Sequence, residues 1–339
     1  MPQFKVTSAE VAAKAGVSQS AVSRVFTPGA SASARTAEKV RKAAKELGYR
    51  PNVLARAMVS GKSRIIGLVV AYLDNQFYPV ALERLSNALQ AEGYHVLIFM
   101  ASQTAGDIDG VVAEILDYQV DGIVAASVAL SSDLTARCAA AGVPLVLFNR
   151  DQDSAEISAV TSDNVAGGRK AAEFLLAAGH SKIGYIAGWE GASTQRDREF
   201  GFTEALAEAG LSLHSREVGQ YTMQGAREAT LRMFASDGPE AVFVANDHMA
   251  FAVMDALRYE LGLSIPQDVS VIGYDDVPMA AWPAYSLTTV RQPANRMVAQ
   301  TVSLLLSQVE DHTAAPQQVR IDGPLVVRGS AKLPKGQTP

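Results

Sequence analysis

The chain has 339 residues, is 48% apolar, sets 30 Lys and Arg against 35 Asp and Glu, and contains one cysteine. That length supports two or three domains with sizeable cores, and a lone cysteine, Cys138, excludes a disulfide framework or a cysteine-built metal cage within one chain. The N-terminus lacks the apolar stretch of a secretory signal, and the longest apolar run, Ile65 to Leu73, is too short to cross a bilayer, so the expectation is a cytoplasmic protein with no membrane contact.

Charge is unevenly placed. Met1 to Arg64 holds twelve Lys and Arg against three Asp and Glu, whereas the remainder holds eighteen against thirty-two. A basic end on an acidic body points to a polyanion partner, because Lys and Arg that neutralise phosphates release condensed counterions.

In chain order, residues 5–50 read as three short helices. Thr7-Ser8-Ala9-Glu10 has the form of a capping box, with Val11, Ala12 and Ala15 following at helical spacing. Gly16 stops that helix and Ser18 can cap a second, Gln19 to Phe26. Thr27 to Ser31 is turn chemistry, and a third helix runs from about Arg35 to Leu47, closed by Gly48. Pro51 opens a segment of about two turns ending at Gly61, too short to be stable alone in water. From Ile65 onward, short β-branched runs (65–70, 96–99, 122–126, 144–148, then 182–187, 241–245, 269–273) alternate with amphipathic stretches such as Val80–Ala91. That alternation predicts βαβ units in two parallel-sheet halves. Residues 333–339 read as a disordered tail.

Two helices joined at a glycine turn, with a third in support, form the helix-turn-helix pattern, whose second helix enters the DNA major groove. On that helix Gln19, Ser20, Ser23 and Arg24 are polar, while Ala21, Val22 and Val25 face inward. Gln pairs bidentately with adenine and Arg with guanine, while Ser tolerates several bases. The competing reading is a small bundle with a solvated basic face. Capping, turn placement and composition together favour the reader.

Val6-Thr7, Val11-Ala12, Ala15-Gly16-Val17-Ser18, Val22-Ser23-Arg24-Val25, Thr36, Lys39-Val40, Leu47-Gly48-Tyr49 and Pro51-Asn52 together resemble the headpiece of the LacI/GalR family of bacterial transcription regulators, and the similarity continues to about residue 330. The resemblance implies a helix-turn-helix headpiece (1–50), a hinge helix (51–61) and an α/β core of the type I periplasmic-binding-protein class (62–332). In that core one subdomain would comprise 62–162 and 292–321, and the other 163–290 and 322–332, joined by three crossovers. It implies that Gln19, Ser20 and Arg24 read bases. Thr7 and Ser18 would hold phosphates, with Ser31 and Arg35 as further DNA contacts. In the hinge, Asn52, Ala55 and Met58 would meet DNA, Met58 standing where relatives have a wedging Leu. Leu54 and Met58 lie at i,i+4 on a helix too short to bury them alone, so a twin hinge and DNA would supply the missing stabilisation. A plain linker is the alternative.

The core's resemblance implies a ligand cleft at strand C-terminal ends, where open parallel sheets place their crevices. Asn246 and Asp275 each follow an apolar run, and a carboxylate can accept from two vicinal hydroxyls of a sugar. Arg198, Asn149 and Tyr221 match family ligand contacts. Phe77 and Tyr78 are equally readable as lining aromatics or core fillers. Asp276 reads as a turn or capping carboxylate, Asp163 as cleft-facing, His180 as structural and Cys138 as a buried apolar residue. Arg198 and Arg150 would also suit an anionic ligand.

No nucleophile-elbow, P-loop or dinucleotide fingerprint occurs, and the five histidines are scattered, so neither an enzyme nor a cofactor or metal site is expected. The reading is a bacterial, nucleoid-associated, cytoplasmic homodimer, most simply a repressor, that binds a pseudo-palindromic operator in double-stranded DNA under control of a small-molecule effector, a sugar or sugar derivative. The dimer expectation comes from the absence of a leucine-heptad extension after the last strand. Two other classes stay open: a sugar-binding protein with no DNA role, and a DNA binder indifferent to any effector.

Overall fold

The structure is a computed structural model and describes residues 6–27, 30–50, 62–101, 105–127, 132–152, 156–334 and 336. It divides into two compact units, Met1–Arg64 and Ile65–Pro339.

The first unit contains α1 (Ser8–Ala15), α2 (Gln19–Phe26) and α3 (Ala34–Leu47). Each helix starts at a hydroxyl cap. Thr7 accepts from the Glu10 amide at 3.3 Å while Glu10 accepts from the Thr7 amide at 2.6 Å. Ser18 accepts from the Ala21 amide and Ser33 from the Thr36 amide, both at 3.2 Å. These hydroxyls satisfy backbone donors that a helix start leaves orphaned. Gly16 ends α1 with φ +65°, which glycine adopts without a Cβ penalty. The apolar stripes of the three helices meet: Val11, Val22 and Val40 are wholly buried, with Phe26 packed on Tyr49 at 5.9 Å between ring centroids. A core this small gives a head with little stability to spare.

The second unit holds two six-stranded sheets. Strands β1 (Ile65–Val70), β2 (His95–Met100), β3 (Gly122–Ala126), β4 (Leu145–Phe148), β5 (Ser158–Ser162) and β11 (Gln318–Ile321) form the first, in the order β11-β5-β4-β3-β1-β2. All pairs in it are parallel. Strands β6 (Ile183–Ala187), β7 (Ser215–Val218), β8 (Ala241–Val244), β9 (Ser270–Asp275), β10 (Thr288–Arg291) and β12 (Leu325–Val326) form the second, in the order β12-β10-β9-β8-β6-β7, with only β12 antiparallel. The chain passes between the sheets three times, after β5, after β10 and after β11. The strands β1, β3, β6 and β8 are buried along their whole length, as parallel strands covered on both faces must be.

The covering helices are α4 (Phe77–Ala91), α5 (Ala105–Asp117), α6 (Ser132–Ala140), α7 (Asn164–Ala177), α8 (Ser193–Glu208), α9 (Met223–Met233), α10 (Asp247–Asp255) and α11 (Ala294–Glu310). α4 starts three residues before the amphipathic pattern predicts, which places Phe77 and Tyr78 on its first turn. α7 and α8 pack backbone against backbone: a Cβ on Gly168 would lie 2.0 Å from the Arg198 carbonyl oxygen, and one on Gly201 would lie 2.0 Å from that of Val165. Packing continues through Leu333 and Pro334, the first two residues of the expected disordered tail, because Leu333 has apolar surface to bury against the core. No described helix is long and apolar enough to cross a membrane.

Candidate nucleic-acid interface and ligand cleft

In the first unit α2 turns one face inward at Val22 and exposes Gln19, Ser20, Ser23 and Arg24. Gln19 donates from Nε2 to Ser8 Oγ at 2.8 Å, which holds its carboxamide against the start of α1. Ser18 and Ser20 share a hydroxyl hydrogen bond at 2.9 Å. Thr7 and Ser18 therefore cap helices and stay exposed at the same time. Ser31 and Arg35 are exposed at the start of α3. The outcome is a row of polar tips on one short helix, flanked by the basic surface of α3. Asn52, Ala55 and Met58, with the whole expected hinge, lie outside the described residues.

In the second unit parallel strands deliver polar residues to one edge of each sheet. Asn149 follows β4 with φ +63°, a left-handed conformation that Asn tolerates better than most residues. Asp275 ends β9 at φ +126° and is 4% exposed. Its Oδ1 accepts from Gln292 Nε2 at 2.7 Å and its Oδ2 from Asn75 Nδ2 at 3.1 Å. Burial pushes the Asp275 carboxyl up, and Arg198, Gln292 and Asn75 oppose that by stabilising the anion.

Arg198 projects from α8 and is 2% exposed. Its Nε donates to Asn164 Oδ1 at 2.9 Å, one terminal nitrogen donates to the Ala245 carbonyl at 2.5 Å, and the other lies 3.6 Å from Asp275 Oδ1. The guanidinium carbon sits 3.6 Å from the ring centre of Tyr274, so the cation is held by a carboxylate, two oxygens and an aromatic face. Across the cleft, Asn149 Nδ2 donates to the Tyr78 hydroxyl at 3.1 Å. Tyr221 shares a hydrogen bond with Thr194 at 3.2 Å, and its ring occupies the space that a Cβ on Gly188 would need.

Asp247, at the start of α10, is wholly buried; its two oxygens accept from Thr289 Oγ1 at 2.6 Å and from the Val277 amide at 3.0 Å. Burial first, then repulsion from Asp275, pushes its carboxyl up to about 8. Among the described residues, the buried side-chain atoms of this region without a hydrogen-bond partner include Asn149 Oδ1, Arg150 Nε, Gln292 Oε1 and Gln76 Oε1. Native interiors leave few such atoms, so each needs an account.

The structure sorts the sequence candidates. Arg198, Asp275, Asn149, Tyr78 and Tyr221 converge at the strand ends. Phe77 stacks on Phe148 with ring centroids 6.2 Å apart and meets Tyr78 edge-on, so it packs as a core aromatic beneath the cleft. Asn246 spends its Oδ1 as the cap of α10, accepting from the Met249 amide at 3.0 Å. Asp163 caps α7, a role that the cleft-facing expectation did not include. Asp276 is neither turn nor cap: it pairs with Arg291 and with Arg328, each at 2.6 Å. His180 meets the Ser270 hydroxyl at 2.9 Å, a structural bond, and Cys138 is buried.

Sequence reasoning missed Asn75, Gln292, Tyr274, Trp189 and Asp247. Gln292 directly follows β10, so the rule that singled out Asn149 would have found it. The others needed the tertiary arrangement. Among the described residues no group of three His, Cys, Asp or Glu is placed to hold a metal ion.

Comparison with known proteins accords with both halves. Residues 7–52 match the family described as bacterial regulatory proteins, lacI family, and residues 172–331 match the periplasmic binding protein-like domain. The chain is 30% identical over 332 residues to the HTH-type transcriptional regulator DegA of Bacillus subtilis (strain 168), covering 96% of this chain and 98% of DegA. It is 29% identical over 338 residues to the HTH-type transcriptional repressor PurR of Vibrio vulnificus (strain CMCP6), with the same coverages. Its fold superposes on the crystal structure of the lac repressor dimer bound to operator and the anti-inducer ONPF with a TM-score of 0.87 at 26% identity, covering 96% of this chain and 99% of that one. The head's polar-tipped second helix, the paired parallel sheets and these end-to-end matches place the chain in the lacI family of bacterial regulatory proteins, as a DNA-binding transcription regulator.

Proposed function

We propose that this regulator is an operator-binding repressor that acts as a homodimer and responds to a sugar or sugar derivative held between its two α/β subdomains. Two heads present α2 to successive major grooves of a pseudo-palindromic site. Gln19, Ser20 and Arg24 read base edges, while Thr7, Ser18, Ser31 and Arg35 engage the backbone. The segment 51–61, with Asn52, Ala55 and Met58, forms the paired hinge in the minor groove.

The observation that carries the effector half is the cleft itself. A carboxylate, Asp275, and a guanidinium, Arg198, are held at the strand ends beside the unpartnered Asn149 Oδ1. Hydroxyl groups of a ligand would supply the missing donors. Relatives of similar fold have been solved with cellobiose or ribose, which favours a polyol. Differential affinity of the ligand for two arrangements of the subdomains would shift the dimer between operator-competent and incompetent states.

The test has two steps. Genome-wide mapping of bound sites identifies an operator, and fluorescence anisotropy on that duplex is then titrated with a panel of sugars, sugar acids and sugar phosphates. At least one compound should change operator affinity, and Asp275→Ala should remove that change while operator binding persists. Absence of any preferred duplex refutes the reading; a preferred duplex with no effector reduces it to an effector-independent DNA binder.

A further inference from the structure

We propose that Ser8 is a positioning residue for base recognition, whose hydroxyl fixes the Gln19 carboxamide so that α2 reads adenine in preference to guanine. This inference rests on the reading of Gln19 as a base reader and deepens it by naming what sets its choice. Gln19 Nε2 donates to Ser8 Oγ at 2.8 Å, across 11 residues of chain and the Gly16 turn. Both side chains reach the surface that α2 presents: Gln19 is exposed and Ser8 half-buried.

Ser8 has its hydroxyl to give. It is the first residue of α1, and the cap of that helix is complete without it. Thr7 accepts from the Glu10 amide at 3.3 Å, and Glu10 accepts from the Thr7 amide at 2.6 Å. The reciprocal cap therefore makes no demand on the Ser8 oxygen.

A glutamine carboxamide offers two N–H donors and one carbonyl oxygen. With one N–H committed to Ser8, one donor and one acceptor remain. That pair is what the major-groove edge of adenine takes, its N7 accepting and its amino group donating. Guanine presents two acceptors there, N7 and O6, and a carboxamide that has already given one N–H cannot supply both. The tie also restricts a long side chain before DNA arrives, so less rotamer freedom is lost on binding. A bond that only stapled α1 to α2 would act differently, because its loss would weaken every duplex alike.

Selection of the full-length protein on a random duplex library tests this, repeated for Ser8→Ala, Ser8→Thr, Gln19→Ala and the double variant Ser8→Ala/Gln19→Ala. The parent should prefer adenine over guanine at the base pair to which Gln19→Ala becomes indifferent. Ser8→Ala should cut that preference by roughly fivefold or more, part of what one bidentate pair supplies, with the salt slope unchanged because no phosphate contact is lost. Ser8→Thr keeps the hydroxyl and should keep the preference. The double variant should match Gln19→Ala, since Ser8 acts only through Gln19. Ser8→Ala leaves the Thr7–Glu10 cap in place and introduces a good helix former, so the head should fold. An adenine preference that survives Ser8→Ala, a uniform loss over all duplexes, or a parent preference for guanine overturns the inference and leaves Gln19 a reader. A double variant whose preference differs from that of Gln19→Ala shows Ser8 touching DNA itself, which also overturns it. A consensus unaltered by Gln19→Ala removes Gln19 from the readers, and this inference falls with it.

Discussion

Asn75 and Asp275 lie two hundred residues apart, yet the Asn75 carboxamide donates to the Asp275 carboxylate at 3.1 Å. One belongs to the loop after β1 in the first sheet, the other to the end of β9 in the second. The same Asn75 accepts from the Phe77 amide at 3.0 Å, so a single buried side chain positions the start of α4 and ties the two lobes. Asn75→Ala leaves one Asp275 oxygen buried without its donor, which costs about 1–3 kcal/mol. Urea denaturation should register that loss; a variant as stable as the parent would show that water or a rearranged neighbour replaces the bond.

Asp247 predicts a pH dependence. Its folded-state carboxyl is raised to about 8 from an ordinary 3.8, so the folded chain keeps a proton that the unfolded chain releases. Stability attributable to Asp247 is fully present below the unfolded value and falls as pH rises toward about 8. His180 and His248 are lowered by burial and act in the opposite sense, losing stability as pH falls below their unfolded range. The informative quantity is therefore the stability difference between the wild type and Asp247→Asn, which mimics the protonated side chain. That difference should move in favour of the variant from pH 5 to pH 8. A difference that stays constant would mean that Asp247 is ionised throughout.

Gly201→Ala should destabilise the second lobe by about 1–3 kcal/mol or more, because its Cβ would strike the Val165 carbonyl and prise α8 from α7. Gly210→Ala is the control. That glycine has φ +75° and open space around it, so the substitution costs only the left-handed strain, about 1 kcal/mol. Thermal unfolding of the two variants should rank them in that order; equal losses would mean that the helix pair yields easily.

Gln19→Ala should change which bases are preferred at one operator position while leaving the salt dependence of binding nearly intact, since base contacts specify and phosphate contacts set the electrostatic slope. The substitution also frees the Ser8 hydroxyl, which is exposed enough to find water. Selection from a random duplex library before and after the change is the measurement. An unaltered consensus would remove Gln19 from the readers.

The head was almost wholly legible in the sequence. The Thr7–Glu10 box, the Ser18 cap and the Gly16 stop each act over two to four residues, so their chemistry is visible in any short window. The strand–helix alternation was legible where buried parallel strands are continuously apolar, and β5, buried throughout but carrying Ser158, Thr161 and Ser162, escaped that reading. Arg198, Asp275 and Asn149 were reached through the resemblance and through their places after apolar runs. For Asn246 the sequence showed the strand end but not the helix cap, in which its Oδ1 accepts from the Met249 amide.

The chain alone thus determined where charge concentrates, where helices begin and stop, and which strands are sheathed on both sides, all consequences of short-range backbone chemistry. The tertiary structure decided which polar groups meet. The lobes bring Asn75 to Asp275 and Arg150 to Trp189 from opposite sheets, and the packing of α8 on α7 seats Arg198 over Tyr274. Those partnerships depend on chain crossings and on desolvation, and neither quantity is a property of neighbouring residues.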